Sequence, residues 1–213
     1  MKKIILSLAL VVIALASNAQ SDAYNAGMKG MISRIESAQS NPEAYQDASN
    51  GFLRIAAAEK NEWLPKYYAA YCLAMQAMFS KDKEKIDPIL NQADQLLSEI
   101  SITIKSDEVM CLQAFSKATR INVDPMTRGM RYGSESAKFL EQAKSINAEN
   151  PRIYFLQGES KFNTPEQFGG GKTKALQLFQ TAAKKFAAFK PSSDLMPTWG
   201  QRTNEMMIAE CKK

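Results

Sequence analysis

Apolar residues recur along this 213-residue chain at spacings of three and four, which is the period of an amphipathic helix. After the first nineteen residues, no stretch alternates convincingly between apolar and polar positions. The hexapeptide LQAFSK at residues 112–117 returns as LQGESK at residues 156–161, and each copy precedes a further amphipathic segment. Recurring helix pairs of this kind bury their apolar faces against neighbouring pairs and so build a solenoid. The pattern therefore predicts an all-α fold of stacked antiparallel helix pairs.

Prolines, glycines and polar clusters divide the pattern into about four helix pairs and a final helix, which we expect to cap the last hydrophobic face. The third predicted helix is apolar nearly all round, as expected for a helix packed on both sides. Residues 191–197 are predicted to be a linker. The predicted helices span residues 22–38, 43–60, 63–79, 83–100, 106–121, 132–146, 151–162, 172–189 and 198–212.

The first nineteen residues have the pattern of an export signal. Lys2 and Lys3 precede an apolar run at residues 4–16, and small residues then predict cleavage before Gln20. The run is shorter than the roughly 20 apolar residues that span a membrane, so a cleaved signal is favoured over an anchor. No cysteine follows the run to carry a lipid. We therefore expect residues 1–19 to be a signal peptide and residues 20–213 to be a single periplasmic or secreted domain without a membrane segment.

Five residues near the C-terminus carry a family resemblance. Tyr154, Gly158, Ala175, Phe179 and Ala182 resemble the signature of the tetratricopeptide repeat (TPR). In that motif small residues let paired helices cross closely, and the aromatic residue fills the gap between repeats. The chain departs from the motif, because its repeat is longer than the standard period of about 34 residues and its last loop is longer than the usual turn. The resemblance implies a TPR-like α-solenoid.

Earlier helix pairs match the signature more loosely, through Ala74, Ile86, Leu90 and Ala93 in one pair and Ala114, Ser136, Leu140 and Ala143 in the other. A second resemblance lies in NPR at residues 150–152 and TPEQFGGGK at residues 164–172. These segments are similar to exported bacterial helical-repeat proteins, among them the periplasmic T-component of TRAP transporters. That resemblance implies a small-ligand-binding accessory component of a periplasmic transport system.

In TPR proteins the first helix of each pair lines a concave groove. Transferring the groove positions of the motif predicts a partner-binding surface rich in tyrosine, phenylalanine and methionine, which offer adaptable apolar area. The alternative is that these side chains belong to the core. The predicted groove residues are Tyr68, Tyr71, Met75, Phe115, Arg152, Phe155, Glu159 and Phe162.

The chain has no histidine, so it lacks the usual general base and the commonest metal ligand. Gly171-Lys172-Thr173 resembles part of a phosphate-binding loop, but Glu166 stands where that motif needs glycine, and a helix precedes it instead of a strand. A plain turn is favoured there over an anion site at the start of the next helix. The sequence therefore predicts no catalytic residue, no cofactor and no metal site.

The three cysteines lack the close spacings of zinc or redox sites. Cys72 and Cys111 are predicted to be buried small apolar residues, although an exported protein would also permit a bridge between them. The formal charge of +5 falls to +3 without Lys2 and Lys3, and no basic cluster marks a nucleic-acid site. We expect a non-catalytic exported protein whose concave groove binds a protein or peptide of the cell envelope, with the transport accessory as the alternative.

Overall fold

The computed structural model describes residues 22–213, where every regular element is helical. Within this range the chain forms nine α-helices and two short 3-10 helices, at Arg120–Val123 and Glu166–Phe168, which confirms the predicted all-α class. The α-helices are α1 (residues 22–37), α2 (Pro42–Ala58), α3 (Leu64–Phe79), α4 (Lys83–Thr103), α5 (Asp107–Thr119), α6 (Pro125–Ile146), α7 (Pro151–Asn163), α8 (Lys172–Ala188) and α9 (Gln201–Cys211).

Asparagine and aspartate side chains begin four of these helices. Asn41, Asp82, Asp124 and Asn150 each accept a hydrogen bond from a backbone N–H in the first turn of α2, α4, α6 and α7. In α2, α6 and α7 a proline follows the cap, where its fixed φ suits the first helical position. These local signals explain why most helix starts were predictable from the sequence.

A recurring core pattern stacks the helix pairs into a repeat-like solenoid. In the second helix of each pair, three residues at spacings of four and three pack into the core against neighbouring helices. The middle residue of the three is always large. The four triplets are Ala48-Phe52-Ile55, Ile86-Leu90-Ala93, Ser136-Leu140-Ala143 and Ala175-Phe179-Ala182.

The last pair shows why a small residue is needed opposite the large one. A Cβ atom built on Gly158 of α7 would lie 2.6 Å from the ring of Phe179 on α8. The two helices can therefore cross closely only because Gly158 has no side chain. Helix α9 packs against α8, as predicted for a capping helix.

Helix α6 begins at Pro125 and not near residue 132, so the predicted start is wrong. No residue of α6 before Ser136 is buried, and Met126 and Met130 are 93% and 90% exposed. Apolar periodicity cannot reveal a helical segment that has no apolar face in the core. The capping residue Asp124 was the feature of the sequence that could have located the start of α6.

Cys72 and Cys111 are buried as free thiols, in agreement with the core prediction and not with a bridge. The predicted signal peptide at residues 1–19 lies outside the described residues. Among the helices of residues 22–213, none combines the length and the apolar character that crossing a membrane requires.

Candidate ligand-binding site

The first helices α3, α5 and α7 lie side by side and share one face. We call this face the concave face, after the groove that the first helices line in TPR proteins. Each of these helices has a small residue of the repeat pattern, namely Ala74, Ala114 and Gly158. The residues six positions before them are Tyr68, Glu108 and Arg152, respectively. These three side chains therefore hold equivalent positions in successive repeats. All three are buried.

The chain between α8 and α9 lies across this face, and we call residues 194–200 the C-terminal strap. Leu195 and Pro197 of the strap are buried. The Tyr68 hydroxyl donates a hydrogen bond to the Leu195 carbonyl at 2.9 Å, and the Arg152 guanidinium donates one to the Pro197 carbonyl. Residues 195–197, predicted to belong to a free linker, are thus docked on the concave face.

Arg152 joins the strap to the repeats. Its Nη1 atom lies 2.9 Å from Oε1 of Glu108, and the two side chains are 0% and 3% exposed. Its guanidinium also faces the rings of Phe186, Phe189 and Trp199, at 5.0 to 6.0 Å from their centroids. Burial raises the pKa of Glu108 to about 7, and Arg152 opposes that rise. The pair is part of the core, not an open binding group.

Aromatic rings surround Trp199, a partly exposed residue of the strap. The indole stacks on Tyr71 of α3, with centroids 5.5 Å apart and planes inclined by 28°. The ring of Phe115 on α5 lies 6.2 Å from it. The indole Nε1 donates a hydrogen bond to the Tyr67 hydroxyl at 2.8 Å. Trp199 thus lies against rings of two successive repeats.

A cavity of about 380 Å³ opens beside Trp199, between α1, α3 and the start of α9. Ile32 and Ile35 line one side and Tyr68 and Tyr71 another, while the exposed Arg202 stands at its rim. Burial raises the pKa of both tyrosine hydroxyls, so both phenols stay neutral at neutral pH. The volume falls within the roughly 300–1,000 Å³ of small-molecule sites. The exposed Glu36 also lines the cavity, so its polar lining includes one anion and one cation. The apolar walls suit a flat apolar ligand, and Arg202 could pair with a carboxylate on it.

A larger cavity of about 750 Å³ lies at the edge of the solenoid, between the starts of α2 and α4 and the end of α3. Its lining is mostly polar and charged, with Gln76, Lys81 and Asp82 among its residues. It includes none of the predicted groove residues. The smaller cavity is the better candidate, because aromatic residues converge there.

The predicted groove residues all lie on α3, α5 and α7, but the strap divides them. Tyr71 and Phe115 contact Trp199 of the strap, and Tyr68 and Arg152 donate hydrogen bonds to strap carbonyls. Phe155 is buried. The remaining three, Met75, Glu159 and Phe162, are partly exposed farther along the same helices. Burial raises the pKa of Glu159 to about 7. Their role in binding a partner stays a prediction.

Sequence reasoning missed the other walls of the cavity, namely Ile32, Ile35, Trp199 and Arg202. The two isoleucines follow the helical period of α1 and were available as a signal. No pattern in the sequence marked Trp199 and Arg202 as cavity residues, because residues 198–212 were predicted to form a capping helix. In the part of the chain that the structure describes, no group of three or more acidic or cysteine side chains could hold a metal ion.

Stacked helix pairs with an aromatic cavity on the concave face define an all-α helical-repeat protein. Its fold is similar to that of a solved structure described as the HusA haemophore from Porphyromonas gingivalis, with a TM-score of 0.80 and 34% sequence identity over 89% of this chain and 92% of that chain. Identity at this level over nearly the whole of both chains shows that this chain belongs to the same family as HusA. No family model matches the chain, and neither does any curated protein.

HusA, as a haemophore, is a binding protein and not an enzyme. At that coarse level the neighbour supports the prediction of a non-catalytic binding protein. The resemblances to the tetratricopeptide family and to the TRAP T-component stay predictions.

Proposed function

We propose that this protein is an exported, non-catalytic carrier that binds haem in the cavity between α1, α3 and the strap. The observation that carries the proposal is the family relationship with the HusA haemophore across nearly the full chain. Haem is the cargo in this proposal, so the protein needs no resident cofactor. Export rests on the predicted signal peptide at residues 1–19.

The chemistry of the cavity supports a tetrapyrrole ligand. Haem is a flat apolar ring that carries two carboxylates on one edge. Tyr68 and Tyr71 offer aromatic surface, and Ile32 and Ile35 offer an aliphatic wall opposite α3. Arg202 has no ion-pair or hydrogen-bond partner among the described residues, so its guanidinium is available for a carboxylate at the rim.

The cavity offers few side chains that could coordinate the haem iron. The chain has no histidine, and the tyrosine hydroxyls at the cavity are held neutral by burial. We therefore expect the affinity for haem to come from burial of the tetrapyrrole ring and from an ion pair between Arg202 and a haem carboxylate. Ligation of the iron should contribute little.

Titration of the protein with haem, followed by the haem absorbance band, tests the proposal. Tyr71→Ala should weaken binding by about tenfold, because it removes stacking area worth roughly 1–2 kcal/mol. Arg202→Gln should weaken binding severalfold. The matched control for the second variant is Arg54→Gln, an exposed arginine on α2 outside the cavity, which should bind as the wild type does. Absence of haem binding, or binding that neither Tyr71→Ala nor Arg202→Gln alters, would overturn the proposal.

Peptide binding is the second candidate function, favoured by one specific observation. The concave face already holds a non-helical segment of the chain through side chains that bind the carbonyls of Leu195 and Pro197. A partner peptide would be bound by the same kind of contact. Partners recovered from envelope extract on the immobilised protein, and lost with Phe155→Ala, would favour this function. The transport accessory, which would also bind a small ligand, stays a prediction.

A further inference from the structure

Trp199 lies on the strap and not on a repeat, yet its indole covers the aromatic wall of the cavity. The ring of Tyr71 is stacked beneath it, with centroids 5.5 Å apart, and the ring of Phe115 lies 6.2 Å away. A flat aromatic side chain therefore occupies the surface on which a flat ligand would stack. The same face of the Tyr71 ring cannot contact the indole and the ligand at once.

The cavity beside Trp199 is small for the proposed ligand. Its volume of about 380 Å³ is near the lower end of the roughly 300–1,000 Å³ of ligand cavities. A tetrapyrrole joins four pyrrole rings and is larger than most ligands of that range. Because Trp199 forms one wall of the cavity and contacts Phe115 on another side, removal of the indole would extend the cavity across α3 to α5.

A small number of polar contacts holds the strap in place. One is the bond from the Trp199 indole to the Tyr67 hydroxyl, and the others bind the carbonyls of Leu195 and Pro197. The bond from the Arg152 guanidinium is charge-assisted and is the strongest of the three. The ion pair between Lys29 and Asp194 is exposed and adds little. The strap also buries Leu195 and Pro197, and Arg152 faces the Trp199 ring. A ligand that displaces the indole therefore has to offset its contacts through the larger apolar area that the ligand buries.

The backbone on both sides of Trp199 is suited to movement of the indole. Residues 190–194, which lead into the strap, are all exposed. Gly200 follows Trp199 with a φ of 104°, a conformation open to glycine and strained for other residues. A glycine at this position gives the backbone next to the indole access to further conformations.

We propose that Trp199 is a displaceable occupant of the ligand site: the indole rests on Tyr71 in the free protein and leaves that ring when the ligand binds. The inference rests on the proposed function and adds how the site is regulated. The free protein keeps its aromatic wall covered, and the affinity for the ligand is reduced by the free energy needed to undock the indole.

Haem titration of the wild type, Trp199→Ala and Tyr67→Phe tests the proposal. Removal of the indole should tighten haem binding about tenfold, and loss of its hydrogen-bond acceptor in Tyr67→Phe should tighten binding severalfold. Weaker or unchanged binding by Trp199→Ala would overturn the displacement. In that case haem binding by the wild type would still leave the proposed function intact. Failure of both proteins to bind haem would instead overturn the proposed function together with this inference.

Hydrogen exchange of the wild type provides a second measurement if Trp199→Ala does not fold. Displacement predicts that saturation with haem speeds amide exchange in the strap, at residues 194–200, while the core of α3 stays protected. Slower or unchanged exchange in the strap would show that the strap stays docked over the ligand, with Trp199 as a fixed wall, and would overturn the proposal.

Discussion

Arg152 and Glu108 form a buried ion pair between side chains 44 residues apart in the sequence, with 2.9 Å between Nη1 and Oε1. They hold equivalent positions in successive repeats, and Arg152 also binds the strap. One guanidinium thus connects α5, α7 and the chain that leads into α9.

Loss of Arg152 alone should be costly. Arg152→Met leaves the Glu108 carboxylate buried without a counter-charge and with only the Asn150 amide as a donor, and we expect the free energy of unfolding to fall by about 3–5 kcal/mol in urea titrations. The double variant Arg152→Met/Glu108→Met removes both charges and should recover much of that loss. A double variant as unstable as the sum of the two single variants would show that charge pairing is not the reason.

Gly158 should not tolerate even one added methyl group. Its Cβ would lie 2.6 Å from the Phe179 ring, so Gly158→Ala should lower the free energy of unfolding by about 1–3 kcal/mol. Gly133 in α6 is the matched control, because a Cβ there meets no atom within 4 Å. Gly133→Ala should stabilise the protein by about 0.5–1 kcal/mol through helix propensity. Equal effects of the two substitutions would refute the close approach of α7 and α8.

Glu159 should make stability depend on pH. Burial raises its pKa from the ordinary value of 4.5 to about 7, so the native state binds more protons than the unfolded state between these values. The stability contributed by the protonated carboxyl is therefore fully present below pH 4.5 and is lost as pH rises through 7. The side chain is partly exposed, and we expect the loss to be about 1–2 kcal/mol.

Urea titrations of wild type and Glu159→Gln across this pH range measure the effect. Glu108, whose pKa is raised in the same direction, contributes a slope of the same sign to both proteins. The difference between the two slopes therefore isolates Glu159. Parallel pH profiles would mean that Glu159 keeps an ordinary carboxyl pKa.

Asp124 should support the exposed first half of α6. Its side chain accepts hydrogen bonds from the backbone N–H groups of Met126 and Thr127. Asp124→Ala should cost about 1 kcal/mol, as losses of helix caps do. Since residues 125–135 contribute no buried side chain, hydrogen exchange should rise mainly there and little in the second half of α6. A uniform rise along the whole helix would contradict this local role.

The equivalence of positions between repeats explains how much of the candidate site could be predicted from the sequence. Counting from Tyr154 in the TPR signature predicted groove residues on three helices, and α3, α5 and α7 do share one face. The same counting could not tell which of them stay open. Tyr68 and Arg152 are covered because residues 195 and 197, far along the chain, bring carbonyls to them.

The sequence by itself determined the all-α class, most helix bounds and the stacking of helix pairs, because caps and apolar periodicity act between neighbouring residues. It could not reveal the first half of α6, which has no buried face. Only the tertiary structure decided that the strap lies on the concave face, where Trp199 meets Tyr71 and Tyr67. Such contacts join residues more than a hundred positions apart, and they depend on the shape of a surface that exists only after the repeats have stacked.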